Sequence, residues 1–397
     1  MHLGDGADFY RRATFLNANS KDTEGAFWRG ERFALADLLR ALAAVGIVWH
    51  HLSLYAPRSD LADQFAPSVG YFLFNHALYA VAIFFVLGGL TSSLDKRFIQ
   101  RPDGKMGVGE LMQGILDRYL RLAIPYLIML FALLGLVWLT DRFGFPLHLI
   151  ESFSWYQFVS HLFLIQNLLG FENFSAGTWY LCIELQWSCL IVVLTFLANR
   201  FQTDHGANVW ARTLLLFPLG LGSAWVWSRS DRWEAFVLYF AAQYVLGIFL
   251  GWTLQGRLPT WVLSLFSLSV AGSLILNPRP QLMISLLVVP VLFFGYWRTK
   301  DWVLPASIRW LSDVSYSLFL VHYMVNGLVL RILDGWSSQG AVQAAAGMLI
   351  AFACSLIAAF CFHRWVESPS LRWVRSGSLR RAERLEHLGV DQRPSGS

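Results

Sequence analysis

Ten apolar runs of about 17 to 25 residues follow one another along this chain, at approximately 33–55, 71–94, 118–140, 177–197, 211–228, 233–254, 259–275, 281–297, 311–333 and 341–365. Each is long enough for a helix to cross the roughly 30 Å of a bilayer's hydrocarbon core. In hydrocarbon only a helix or a closed barrel satisfies its own backbone hydrogen bonds. The runs predict an all-α polytopic membrane protein with about ten transmembrane helices. A composition that is 56% hydrophobic and 14% charged excludes an ordinary soluble globule.

The basic residues orient these spans. With the N-terminus in the cytoplasm, 21 Lys and Arg fall in the predicted inside segments, against five outside: Arg58, Arg142, Arg229, Arg232 and Arg279. That satisfies the positive-inside rule, and an even number of spans puts both termini in the cytoplasm. The net charge of +5 then reads as topology, with no nucleic-acid partner implied. Residues 1–32 are polar, show no cleavable signal and are expected to form a cytoplasmic lead-in; the membrane domain is expected over 33–367 and a basic cytoplasmic tail over 368–397. Cys182 and Cys189, like Cys354 and Cys361, are seven apart within predicted spans, so packing is expected and not a disulfide framework. No Cys/His ligand spacing points to a metal.

Ionisable groups inside the spans cost on the order of 2.5–3.5 kcal/mol each and mark functional sites by default. The first span carries Asp37, Arg40, His50 and His51. Arg40 and His51 are eleven residues apart, which returns them to within roughly 20° of one helix face with about 16 Å of rise between them. Asp37 and Arg40, one turn apart, also read as an ion pair snorkelling at the membrane face. In the third span Arg118 and Arg121 share a face ahead of Pro125, either as a positive-inside anchor or as two guanidiniums suited to phosphate oxygens. Glu184 is the acidic residue deep in the fourth span; Ser315 and His322 share a face of the ninth, with Tyr316 beside them. Gly88-Gly89 in the second span reads as close helix packing or as close approach of a ligand. Phe158 to Leu169 is too short to span and is expected as a re-entrant or interfacial helix, where His161, Gln166 and Asn167 would line the mouth of a site. Spans five to eight look like scaffold.

Taken in order, these fragments resemble the acyltransferase 3 family of bacterial integral membrane O-acyltransferases. Asp37, Arg40 and His51 match its Asp-x-x-Arg-x10-His pattern, and Phe84-Phe85-Val86-Leu87-Gly88-Gly89-Leu90 resembles its Phe-Phe-Val-Leu-Ser-Gly-Phe run. Arg118, Arg121, Pro125 and Tyr126 are similar to its Arg-x-x-Arg element; Trp179, Leu181 and Glu184 to its Trp-Ser-Leu-x-x-Glu, with Tyr180 for Ser. Ser315, Tyr316, Leu320 and His322 are similar to the motif of its ninth span, and Glu367 and Pro369 to its Glu-x-Pro exit. No second domain is expected after the tenth span, as in the stand-alone members without a fused extracytoplasmic domain.

The resemblance implies transfer of an acyl group, usually acetyl from acetyl-CoA, to a hydroxyl, commonly of an envelope or exported glycan. It implies a multi-pass protein of the bacterial plasma (inner) membrane, with acyl-CoA as a donor substrate, a carbohydrate acceptor, free or lipid-linked, and membrane lipid as partners. Other members modify small molecules. No permanently bound cofactor is expected. Arg40, Arg118 and Arg121 would hold the donor's phosphates, the 16 Å of helix rise matching the reach of the pantetheine arm to His51. His51 would act as general base, with Glu184 orienting it and His50 as the alternative base. His322, Ser315 and Tyr316 would bind acceptor or stabilise an oxyanion, with Asp37 and Trp179 also on the substrate side. A proton-coupled transporter is the competing class; it should show two related halves, and no internal repeat is visible.

Overall fold

The computed structural model describes residues 33–55, 58–94, 107–200 and 207–377, and among these every regular element is helical. Along the chain they are α1 (Ala34–Leu52), α2 (Arg58–Asp63), α3 (Pro67–Asn75), α4 (Val81–Ser93), α5 (Val108–Arg142), α6 (Trp155–Leu162) and α7 (Thr178–Arg200). Then come α8 (Ala207–Trp225), α9 (Val237–Leu254), α10 (Thr260–Leu276), α11 (Pro280–Thr299), α12 (Ala306–Ile332), α13 (Asp334–Ser337) and α14 (Ala341–Phe362). Among the described residues eight helices are long and apolar enough to cross a membrane, the bent pair of α3 and α4 makes a ninth if it is counted as one span, and α10 is apolar over 17 residues. Each of the ten apolar runs thus falls on a helix. The chain is an all-α, multi-pass membrane protein.

Four boundaries differ from the expectation. The second run is not one straight span: the chain bends by 50° between α3 and α4, where His76 leaves helical geometry. α5 starts ten residues ahead of its apolar run, because the Glu110 carboxylate accepts the Gly107 N–H at 2.9 Å and starts the helix in polar sequence. The stretch after α6 turns instead of continuing as helix, with Leu164 at φ +56°. The last helix does not stop at Glu367-Ser368-Pro369; it widens into a π turn at His363–Glu367 and runs on to Gly377. Pro369 has no N–H to give the preceding turn, and a π turn just ahead of it accommodates that loss. The lead-in 1–32 and the tail beyond Gly377 lie outside the described residues.

The packing is organised around α9. Fifteen of its 18 residues are buried, as expected for a helix apolar on all sides. It meets α4 through glycine: a Cβ on Gly89 would lie 2.0 Å from the Tyr244 carbonyl oxygen, and one on Gly247 would lie 2.0 Å from the Val86 carbonyl oxygen. Two backbones in contact leave no side chain room to yield. Gly89→Val is therefore expected to cost at least the upper end of the roughly 1–3 kcal/mol typical of overpacking, read as loss of the monodisperse peak on size exclusion. Gly88→Ala meets side-chain atoms alone, the edge of the Tyr244 ring at 2.9 Å and Glu184 Oε2 at 3.4 Å, and should be milder. Equal behaviour of the two variants would contradict this packing.

Candidate functional site

A cavity of about 380 Å³ opens where α1, α4, α5, α7, α12 and the π turn converge. Its wall brings together Arg40, Arg121, Glu184, Ser315 and Tyr316 from four separate apolar runs, with Gly88, Ser312, Asp313 and Glu367. The glycine pair divides: Gly89 packs against the α9 backbone, while Gly88 lines the cavity.

Arg40 is held from behind. Asp37 accepts from its Nη1 at 3.1 Å and from the Ser312 hydroxyl at 3.0 Å, so one carboxylate ties α1 to α12 and fixes the guanidinium. Asp37, expected on the substrate side, is itself buried and is not among the residues of the cavity wall. Trp179 also lies away from the cavity, packed among Phe85, Tyr180 and Phe240. Arg118 is not among the lining residues, though it and Arg121 both act electrostatically on Glu184.

Glu184 does not orient His51 as the sequence reading had it. Its carboxylate accepts from Tyr244 at 2.7 Å and from Tyr180 at 3.4 Å, and it faces the same cavity as Arg40. Tyr244 comes from α9, a helix of the run read as scaffold. Nothing in its neighbourhood, Gln243-Tyr244-Val245-Leu246, signals a partner across the bundle. Glu367, at the family's exit motif, was likewise not expected in the wall; it accepts from Ser317 at 2.5 Å and pairs with His363 Nδ1 at 2.9 Å.

His51 sits about 16 Å of helix rise beyond Arg40 and stacks on His322, ring centroids 5.1 Å apart and planes at 28°. His322 Nδ1 faces the Leu318 carbonyl at 3.0 Å and must donate to it, because a carbonyl only accepts. That tautomer leaves Nε2 with a lone pair, and Nε2 is buried with no hydrogen-bond partner. The pair therefore sets the half-buried ring of His51 against an imidazole whose second nitrogen is an unused proton acceptor. His50 is differently placed: its Nδ1 donates to the Leu73 carbonyl at 2.9 Å and ties α1 to α3 just ahead of the bend.

The segment expected to line the mouth of a site is internal scaffold instead. His161 is fully buried, accepts the Tyr126 hydroxyl at Nδ1 (2.6 Å) and donates from Nε2 to the Glu172 carbonyl (3.1 Å). Gln166 is buried and donates to Asn173; Asn167 accepts the Cys182 thiol. Burial pushes the pKa of His161 down to about 4, against a smaller upward pull from the Glu172 carbonyl. An unfolded histidine titrates near 6.5, so between about 6.5 and 4 the unfolded state binds more protons and stability falls as pH falls. Hydrogen exchange of Trp155–Leu162 should accelerate as pH is lowered through that window, after correction for intrinsic rates. A protection that stays flat from pH 7 to 4.5 would contradict the buried neutral imidazole.

Residues 34–363 match the family model described as an acyltransferase domain. Neither the curated proteins nor the solved structures gave a match.

Proposed function

The chain belongs to this acyltransferase family, whose model spans most of it, and from that premise we propose that it transfers an acyl group, acetyl foremost, from acyl-CoA to a hydroxyl of an envelope or exported glycan, in a bacterial plasma membrane. The observation that carries this reading is the pairing of one cavity holding Arg40 and Arg121 with the His51 imidazole, stacked on His322 of α12, about 16 Å of helix rise beyond Arg40 on α1. Guanidiniums bind phosphate oxygens through a fixed fork of N–H donors. The pantetheine arm then carries the thioester from there toward His51.

In this scheme the acceptor hydroxyl gives its proton to His51 as its oxygen bonds to the thioester carbonyl carbon. The C–S bond breaks on collapse, and the CoA thiolate leaves with the proton that His51 returns. His322, stacked behind with a free acceptor nitrogen, holds the ring of His51 and supplies a second place for that proton. Glu184 and its two tyrosines belong in this scheme to the donor end, where the carboxylate balances the charge of the arginines.

The test is to feed labelled acetyl-CoA to membranes carrying the wild-type protein or Arg121→Ala. An alkali-labile acetyl ester on glycan, reduced about tenfold or more in the variant, is the expected result. Label that appears only as free acetate, or equal ester formation in both membranes, would overturn the assignment.

A further inference from the structure

A second cavity lies between α4, α7, α8 and α9, lined by Ser92, Ser93, Thr195, Arg212 and Trp252 together with aliphatic side chains, and it shares no residue with the one that holds Arg40. Arg212 is only 7% exposed, yet its Nε and Nη2 are buried without a hydrogen-bond partner. The guanidinium of Arg257 is near enough to repel it. A guanidinium is always charged, and a buried charge persists only where something opposite compensates it. Ser92 and Ser93 donate to the Gly88 and Leu90 carbonyls; the Thr195 hydroxyl and the Trp252 indole N–H are the other side-chain donors of this wall besides the guanidinium. The space is about 20 Å³, room for one or two oxygen atoms at the end of an oxyanion and not for an aromatic or sugar ring. Arg212 and Arg257 both belong to segments assigned to the inside by the distribution of basic residues.

We infer that Arg212 and Thr195 form a binding site for a phosphate group at the cytoplasmic end of the bundle, separate from the arginines of the proposed transfer site. The planar fork of Arg212 presents the two parallel N–H bonds that phosphate accepts. Two molecules bring that chemistry to this face: an anionic phospholipid, through its headgroup, and a CoA donor, through its 3′-phosphate. The phospholipid arm holds whether or not the transfer reading does.

Both arms use the detergent-purified full chain. In the first, dissociation constants of CoA and of dephospho-CoA, which lacks the 3′-phosphate, are measured for wild type and Arg212→Gln. In the second, retention of phosphatidylglycerol against phosphatidylcholine is measured by native mass spectrometry for the same pair. A preference of about tenfold for the phosphate-bearing or anionic ligand in either arm, lost in Arg212→Gln, supports the site and identifies its source. Arg212→Lys, which keeps the charge without the fork, should weaken the preference several-fold and replaces Arg212→Gln if that variant does not fold. No preference in wild type, or a preference that survives in the variants, means that a carboxylate of the chain itself neutralises Arg212, and the inference fails. Acyl transfer by the same wild-type preparation is scored separately, so loss of one result does not mask the other.

Discussion

His51→Ala should lower acyl transfer by about 10²- to 10⁴-fold, the range that a positioned general base supplies, while acyl-CoA binding is unchanged. The reason is spatial. His51 is not part of the cavity wall that holds Arg40 and Arg121, so its loss leaves the proposed donor contacts intact. It also removes the stacking partner of His322, whose buried Nε2 has no other partner. His322→Ala is accordingly expected to reduce turnover less than His51→Ala, because it removes the support of the His51 ring and the second place for the proton but leaves the base itself. His50→Ala acts at the junction of α1 with α3 and should cost stability before it costs turnover. If His50→Ala abolished transfer in a folded protein while His51→Ala did not, the two roles would be reversed.

Arg40→Ala should weaken donor binding by about 10- to 100-fold, the equivalent of one charge-assisted contact of roughly 1.5–3 kcal/mol. Turnover at saturating donor should change far less. The substitution also takes one partner from Asp37, which keeps the Ser312 bond, so part of the loss will be structural. Asp37→Asn separates the two effects. It keeps the guanidinium but loosens its anchor, and it should raise the donor dissociation constant by a smaller factor than Arg40→Ala. A donor affinity untouched by Arg40→Ala would remove the phosphate role from this cavity.

The helices were legible because each apolar run is a membrane-length segment and the bilayer permits few other solutions. What the runs hid was where they bend and how far they extend. The break at His76 carries no proline or glycine to announce it, and the polar first turns of α5 lie outside any hydropathy signal. At the site, Arg40, Arg121, Glu184, Ser315 and Tyr316 stood out because each is a polar or charged group in a greasy run, and the structure places them on one wall. Their pairing was not legible. Helix periodicity says which residues share a face of one helix; it says nothing about which helix lies opposite. Glu184 was assigned to His51 on matching depth, but its partners are Tyr180 on its own helix and Tyr244 across the bundle. His51 found His322 instead, a contact between spans one and nine that only the packing of α1 against α12 decides.

In the proposed scheme one helix carries a donor-phosphate contact, Arg40, and a catalytic imidazole, His51, at different depths. The most direct test of that scheme is acetyl-CoA binding and single-turnover CoA release by detergent-purified wild type beside His51→Ala. The account predicts equal binding by the two proteins and release of CoA, in the presence of acceptor, by wild type alone. CoA release by His51→Ala at the wild-type rate would contradict it.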